Sequence, residues 1–142
     1  MNQRTVAFDI GGSKIEIARV GSDGAISGRA TRPTPHDSFT SFAAAVASLV
    51  AEAGGADRIG ISIAGTVDPA TGIASAANVP AITGHAIAAE LSERLGVPVR
   101  VGNDADCFAL AEATVGAGRG LPVVFGAIFG TGVGGGLVVN GR

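Results

Sequence analysis

The residues with chemistry to offer in this 142-residue chain fall in three stretches. In Val101-Gly102-Asn103-Asp104-Ala105-Asp106-Cys107-Phe108-Ala109-Leu110-Ala111-Glu112, an apolar strand runs straight into a helix. A carboxylate sits at that joint, where a small molecule can reach it. Glycine-rich turns lie on either side in sequence, Asp9-Ile10-Gly11-Gly12-Ser13-Lys14 and Gly130-Thr131-Gly132-Val133-Gly134-Gly135-Gly136. One acid between two turns able to cradle phosphates suggests transfer of a phosphoryl group onto a hydroxyl.

In the first turn, Gly11 and Gly12 let backbone N–H groups come close to phosphate oxygens, and Ser13 and Lys14 add a hydroxyl and an ammonium. Asp9 can hold a magnesium ion through water, since hard cations prefer oxygen ligands. The Gly-x-x-x-x-Gly-Lys spacing of a Walker loop is absent. An ordinary β-hairpin with a glycine turn would use the same residues, so this motif alone does not decide. The second turn contains Gly-x-Gly-x-x-Gly at 130, 132 and 135, but Leu137-Val138-Val139 follows as a strand. A dinucleotide fold needs a helix there, so the Rossmann reading fails. A phosphate-binding hairpin through Gly130, Thr131, Gly132 and Gly134 is the better expectation. Five glycines in seven residues is a large entropic cost for a mere hairpin tip.

Asn103 before a helix is an ordinary N-cap, and Asp104 suits a first helical turn. That structural role is compatible with a chemical one. A carboxylate held ionised at a helix N-terminus can orient a hydroxyl and take its proton as a phosphoryl group arrives. Asp106 and Glu112 read as solvated or supporting groups. Cys107 has no basic activator nearby in sequence and reads as core. His36 and His85 lack metal-ligand spacing and read as surface residues. Asn78, in a loop, has simple turn formation as its plain reading.

The elements that must position these groups follow from periodicity. Thr5 to Asp9, Lys14 to Val20 and Ala25 to Arg32 read as three strands of a β-meander. Phe39, Phe42, Val46, Leu49 and Val50 give helical spacing over Ser38 to Ala53, closed by Gly54-Gly55. Arg58 to Ile63 reads as a strand buried on both faces. Ile73 to Gly84 is loop or short strand, and a second helix from about His85 to Leu95 stops at Gly96. Val97 to Val101 is the next strand, followed by the Asn103 helix to about Val115. Gly116 to Gly120 reads as a linker, and Pro122–Phe129 and Gly135–Val139 are two further strands. The order βββαβαβα, then ββ, predicts an α/β fold with a mixed sheet and helices on both faces. Two domains are expected, 1–119 and the first hairpin of a second at 120–142.

Composition narrows the function. The chain is 46% hydrophobic and 15% charged, so it is globular rather than disordered. Net charge is −2 with scattered basic residues, which argues against a nucleic-acid partner. A single cysteine excludes an intramolecular disulfide and suits a reducing compartment. The uncharged span from Leu121 to Asn140 is long enough for a bilayer. It holds Pro122 and six glycines and reads as strand–turn–strand instead. A cytoplasmic location without membrane contact is expected.

Together these stretches resemble the ROK family (repressors, open reading frames and sugar kinases) of the actin/hexokinase-like ATPase superfamily, across essentially the whole chain. The match rests on residues 9–14, 103–112 and 130–136 in that order and spacing. The segment Ala76-Ala77-Asn78-Val79-Pro80 and the run Cys107-Phe108-Ala109-Leu110 are most similar to the family's bacterial N-acetylglucosamine kinases. The resemblance implies an actin-like (ribonuclease H-like) ATPase domain. It also implies ATP-dependent phosphorylation of a hexose or N-acetylhexosamine at the 6-hydroxyl, with N-acetyl-D-glucosamine first. Asp104 would be the catalytic base, and Gly65, Asn78 and Asn103 would line the sugar site. The 9–14 and 130–136 turns would hold ATP phosphates and Mg2+, the metal through Asp9. Ser13 stands where the family usually has Thr, which keeps the hydroxyl. Family members are often dimers. They continue into a second domain with a further sugar contact, a structural zinc motif and the adenosine pocket, so an N-terminal fragment is expected, inactive alone. A sugar-sensing ROK regulator would carry a helix-turn-helix before the first strand, where four residues stand here. A non-catalytic sugar- or phosphate-binding module and an actin-like assembly protein are the remaining alternatives.

Overall fold

A computed structural model describes residues 3–130 and 132–142. They group into two compact units that divide between Val101 and Gly102. The first is built on β1 (Thr5–Ile10), β2 (Lys14–Val20), β3 (Ile26–Pro33), β4 (Arg58–Ile63) and the start of β7 (Val99–Asn103), whose last two residues belong to the second. These form a five-stranded sheet in the order β3-β2-β1-β4-β7. β1 is antiparallel to β2 and parallel to β4, and β2 is antiparallel to β3, so the sheet is mixed.

Alternation along β1 fixes the core. Val6, Phe8 and Ile10 point to one face, where they stand beside Ile59, Ile61 and Ile63 of β4. Phe8 and Ile10 also pair with Ile17 and Ile15 of β2. All of these side chains are buried. Helix α1 (Phe39–Glu52) adds Phe42, Val46 and Leu49 to the same cluster, and α2 (Ile87–Leu95) adds Ile87 and Leu91. α1 starts where Ser38 Oγ accepts from Ser41 N at 3.1 Å. α2 ends at Gly96, whose φ of 68° is the left-handed cap that glycine adopts without strain.

One reading changes. In β4 only Ile59, Ile61 and Ile63 are buried, while Gly60 and Ser62 are half-buried and Arg58 is exposed. The run of apolar and small residues therefore covers one face, not two. Of the loop or short strand expected over 73–84, the structure has a short strand. β5 (Thr66–Val67) pairs with β6 (Ala74–Ser75), and a 3₁₀ turn at Pro80–Ile82 follows. Asp68 closes the β5–β6 turn by accepting from Ala70 N at 2.8 Å and Thr71 N at 2.9 Å. Those donors, the Thr71 amide foremost, hold its carboxyl below the usual carboxylate range. Val79 and Ile82 reach the main core and are fully buried there.

The second unit contains α3 (Asp104–Thr114) and the antiparallel hairpin β8 (Val123–Phe129) and β9 (Val133–Val139). The uncharged 121–140 span is thus this hairpin. No helix among the described residues is long and apolar enough to cross a membrane. By packing, α3 groups with the hairpin, and the 116–120 stretch folds back onto it. Gly118 N donates to Glu112 O at 2.9 Å and Ala117 N to Glu112 Oε2 at 2.8 Å.

Phe42 is wholly buried between α1 and the sheet cluster. Phe42→Ala should lower the unfolding free energy by about 3–5 kcal/mol in urea titration. A loss below about 1 kcal/mol would show that this cluster does not carry the fold.

Candidate functional site

In the first unit, the register Ile10↔Ile15 leaves Gly11, Gly12, Ser13 and Lys14 to turn the chain at the end of β1. Gly11 N donates to Lys14 O at 3.0 Å. Asp9 stands exposed two residues before the turn segment, in register with Glu16 of β2 and Ser62 of β4. Gly12 is glycine because of crowding. A Cβ there would lie 2.9 Å from Asn78 Cβ and 3.0 Å from Asn78 O. Gly65 is glycine for the same reason, since its Cβ would fall 2.5 Å from Ser75 O and 2.7 Å from Ala76 Cβ. The structure therefore brings Gly12, Gly65, the Ala76–Asn78 segment and Asp9 to one end of the first unit's sheet. Lys14 Nζ is drawn to Glu16 at 3.3 Å, a carboxylate that also pairs with Arg29 at 3.0 Å.

Two residues brace this turn, Thr34, on which sequence reasoning was silent, and His36, which it read only as a surface residue. Thr34 Oγ1 donates to Gly11 O at 2.7 Å, and Thr34 N donates to Ser13 O at 3.1 Å. His36 Nε2 lies 2.6 Å from Gly12 O. His36 is thus exposed, as expected, but engaged. Asp37 ties the brace to α1 by accepting from Ser41 Oγ at 2.6 Å. That hydroxyl is the main reason its carboxyl is held below the usual range, helped by its own backbone amide and by Ser38. Register arithmetic could have found the brace. Lys14 pairs with Pro33, so the residue after Pro33 must land beside Ser13.

In the second unit, Asn103 caps α3. Its Oδ1 accepts from Ala105 N at 2.9 Å and Asp106 N at 3.3 Å. Asp104 is half-buried in the first turn, and its Oδ1 accepts from Ala105 N at 2.9 Å. The hairpin glycines divide in two. Gly134 and Gly136 face α3, where a Cβ would lie 3.2 Å from Ala105 Cβ and 2.5 Å from Ala105 O respectively. These two let the helix start lie directly on β9. Gly130 and Gly132 stand at the tip in open space, linked by Gly130 N to Gly132 O at 2.9 Å. Thr131 lies outside the described residues.

A family model described as ROK family matches residues 5–142. The chain belongs to the ROK family. It is 47% identical over 139 residues to the N-acetyl-D-glucosamine kinase of Salmonella paratyphi C, covering 95% of this chain and 46% of that protein. It thus spans about half the length of the curated relatives it matches. Among solved structures, the ROK hexokinase from Thermus thermophilus superposes with a TM-score of 0.86 at 32% identity, over 98% of this chain and 48% of that one. A ROK family glucokinase from Streptomyces griseus, in complex with glucose and AMPPNP, gives 0.85 at 31%, over 98% and 45%. The fold is that of the ROK hexokinases, an α/β actin-like ATPase fold with a mixed sheet.

The two classes of hairpin glycine separate in a stability experiment. Gly136→Ala should destabilise the second unit by roughly 1–3 kcal/mol through overpacking against Ala105. Gly132→Ala should stay within about 0.5 kcal/mol, since its methyl would meet nothing. Equal losses in thermal unfolding would refute the assignment of Gly136 to packing.

Proposed function

We propose that the protein to which this chain belongs transfers the γ-phosphoryl group of ATP to the 6-hydroxyl of a hexose or N-acetylhexosamine, N-acetyl-D-glucosamine first. The observation that carries this reading is the start of α3. The Asn103 carboxamide supplies the cap, so Asp104 is a carboxylate at a positive helix end that the cap does not need, half-buried and bound through Oδ1 to one amide. Its bond to that amide uses Oδ1, and Oδ2 is the oxygen we assign to the substrate hydroxyl. Asp104 then accepts the proton of the 6-hydroxyl while the new P–O bond forms and the bond to the β-phosphate oxygen breaks, releasing ADP. The identity to N-acetyl-D-glucosamine kinases supports the sugar, and the glucose and AMPPNP held by the Streptomyces griseus enzyme support the co-substrates.

In this reading Gly65, Asn78 and Asn103 line the sugar site. Gly11, Gly12, Ser13 and Lys14, with Gly130, Thr131, Gly132 and Gly134, hold the phosphates. Mg2+, when bound, neutralises charge that builds on the transferring group. The first unit's donors fit it. Asp9 is an exposed oxygen donor at a strand end, and no group of three or more His, Cys, Asp or Glu among the described residues forms an all-protein cage. Magnesium is commonly held through water and phosphate oxygens with one or two carboxylates, which needs no such cage. We place the enzyme in the cytoplasm, as a homodimer, with residues 120–142 opening its second domain.

The test is ADP release by the full-length protein with MgATP and a panel of N-acetylglucosamine, N-acetylmannosamine, glucose and fructose. Asp104→Asn should lower kcat by roughly 10²–10⁴ while the sugar Kd stays within about twofold. Turnover that survives this substitution would sink the assignment of Asp104 as base.

A further inference from the structure

We propose that Thr34 and His36 are positioning residues that set the 11–13 turn as an anion-binding array, a role that rests on the kinase reading above. Three consecutive carbonyls of the turn are tied back. Gly11 O accepts from Thr34 Oγ1 at 2.7 Å, Gly12 O from His36 Nε2 at 2.6 Å, and Ser13 O from Thr34 N at 3.1 Å. The amides of Gly12 and Ser13 have no acceptor among the described residues. The brace therefore takes up the negative ends of these peptides and leaves the positive ends for a ligand. An array with its carbonyls loose could turn one of them toward a phosphate, and the repulsion would cancel an amide's attraction.

The chemistry of each bond adds to this. A carbonyl oxygen only accepts, so the ring nitrogen facing Gly12 O must carry the hydrogen, which fixes His36 as the Nε2–H form. Within one peptide, a hydrogen bond to the oxygen polarises the N–H on the far side. Thr34 Oγ1 on Gly11 O thus sharpens the Gly12 amide, and His36 on Gly12 O sharpens the Ser13 amide. Thr34 is the buried polar residue of the described core, 7% exposed, with its hydroxyl spent on this turn. Asp37, with Ser38 and Ser41, locks the far end of the strap to the start of α1. The strap is accordingly a strut between α1 and the turn.

Steady-state kinetics of the full-length protein with MgATP and N-acetylglucosamine test the proposal, alongside sugar binding by calorimetry and thermal unfolding. Thr34→Val keeps the shape and removes the hydroxyl. It should raise the KM for MgATP roughly three- to tenfold, the worth of one buried hydrogen bond. The sugar Kd should stay within about twofold, and Thr34→Ser should restore the nucleotide KM. His36 is exposed, so His36→Ala reports even if Thr34→Val fails to fold. It should shift the same KM, with His36→Gln partly restoring it and ¹⁵N NMR showing the hydrogen of the wild-type ring on Nε2. An unchanged KM for MgATP in a folded His36→Ala protein overturns the proposal, as does a sugar Kd that moves equally. A wild-type protein that turns over no nucleotide overturns the kinase reading and this role with it.

Discussion

Every site in the first unit depends on the register of β1. Phe8 stands between Ile17 of β2 and Ile61 of β4, and slipping either neighbour by one residue would carry its isoleucines to the solvent side. Burial of one face thus fixes where the strands end, to the residue. It follows that the 11–13 turn, Gly65 and the close of β3 meet at one end of the sheet without any instruction of their own. The β2–β3 register then delivers Thr34 to Ser13. Apolar packing is the large non-directional force here, and it places polar groups whose own hydrogen bonds contribute far less.

The second unit solves a different problem. A lone two-stranded hairpin is marginal in water. Val123, Phe125, Phe129, Val133, Leu137 and Val139 leave one face of it exposed among the described residues. Its other face holds Gly126, Gly134 and Gly136, and α3 meets it with Ala105 and Ala109. Glycine opposite alanine brings a helix axis close to a strand. The closeness substitutes for the bulky side chains that this face lacks.

Much of this was legible from the residues. The alternation in Lys14–Val20, the 3.6-residue spacing in α1 and the Asn103 cap each follow from a local rule, and each stands where that rule put it. The family was legible because glycines and carboxylates sit at strand ends in its pattern. What escaped was non-local. Glycines at 134 and 136 look like the glycines at 130 and 132 in sequence, and only the approach of α3 separates a packing role from an open tip. The half-exposed second face of β4 escaped because Gly60 and Ser62 are small without being buried. His36 escaped because metal spacing was the only pattern against which a lone histidine could be read.

The two units differ in how tightly structure and chemistry are bound together. At the start of α3 the helix is capped by Asn103, whose Oδ1 reaches two amides, while Asp104 adds a bond to one of the same amides. The fold needs the asparagine more than the aspartate, so the carboxylate can be lost with little structural damage. In the first unit no such division exists. The hydroxyl of Thr34 is buried, and the turn it holds closes the hairpin that packs Ile10 and Ile15 into the core. Loss of that bond strands a polar group as well as loosening the turn. The proposed base at α3 is separable from stability, whereas the turn proposed to hold phosphate is part of the fold itself.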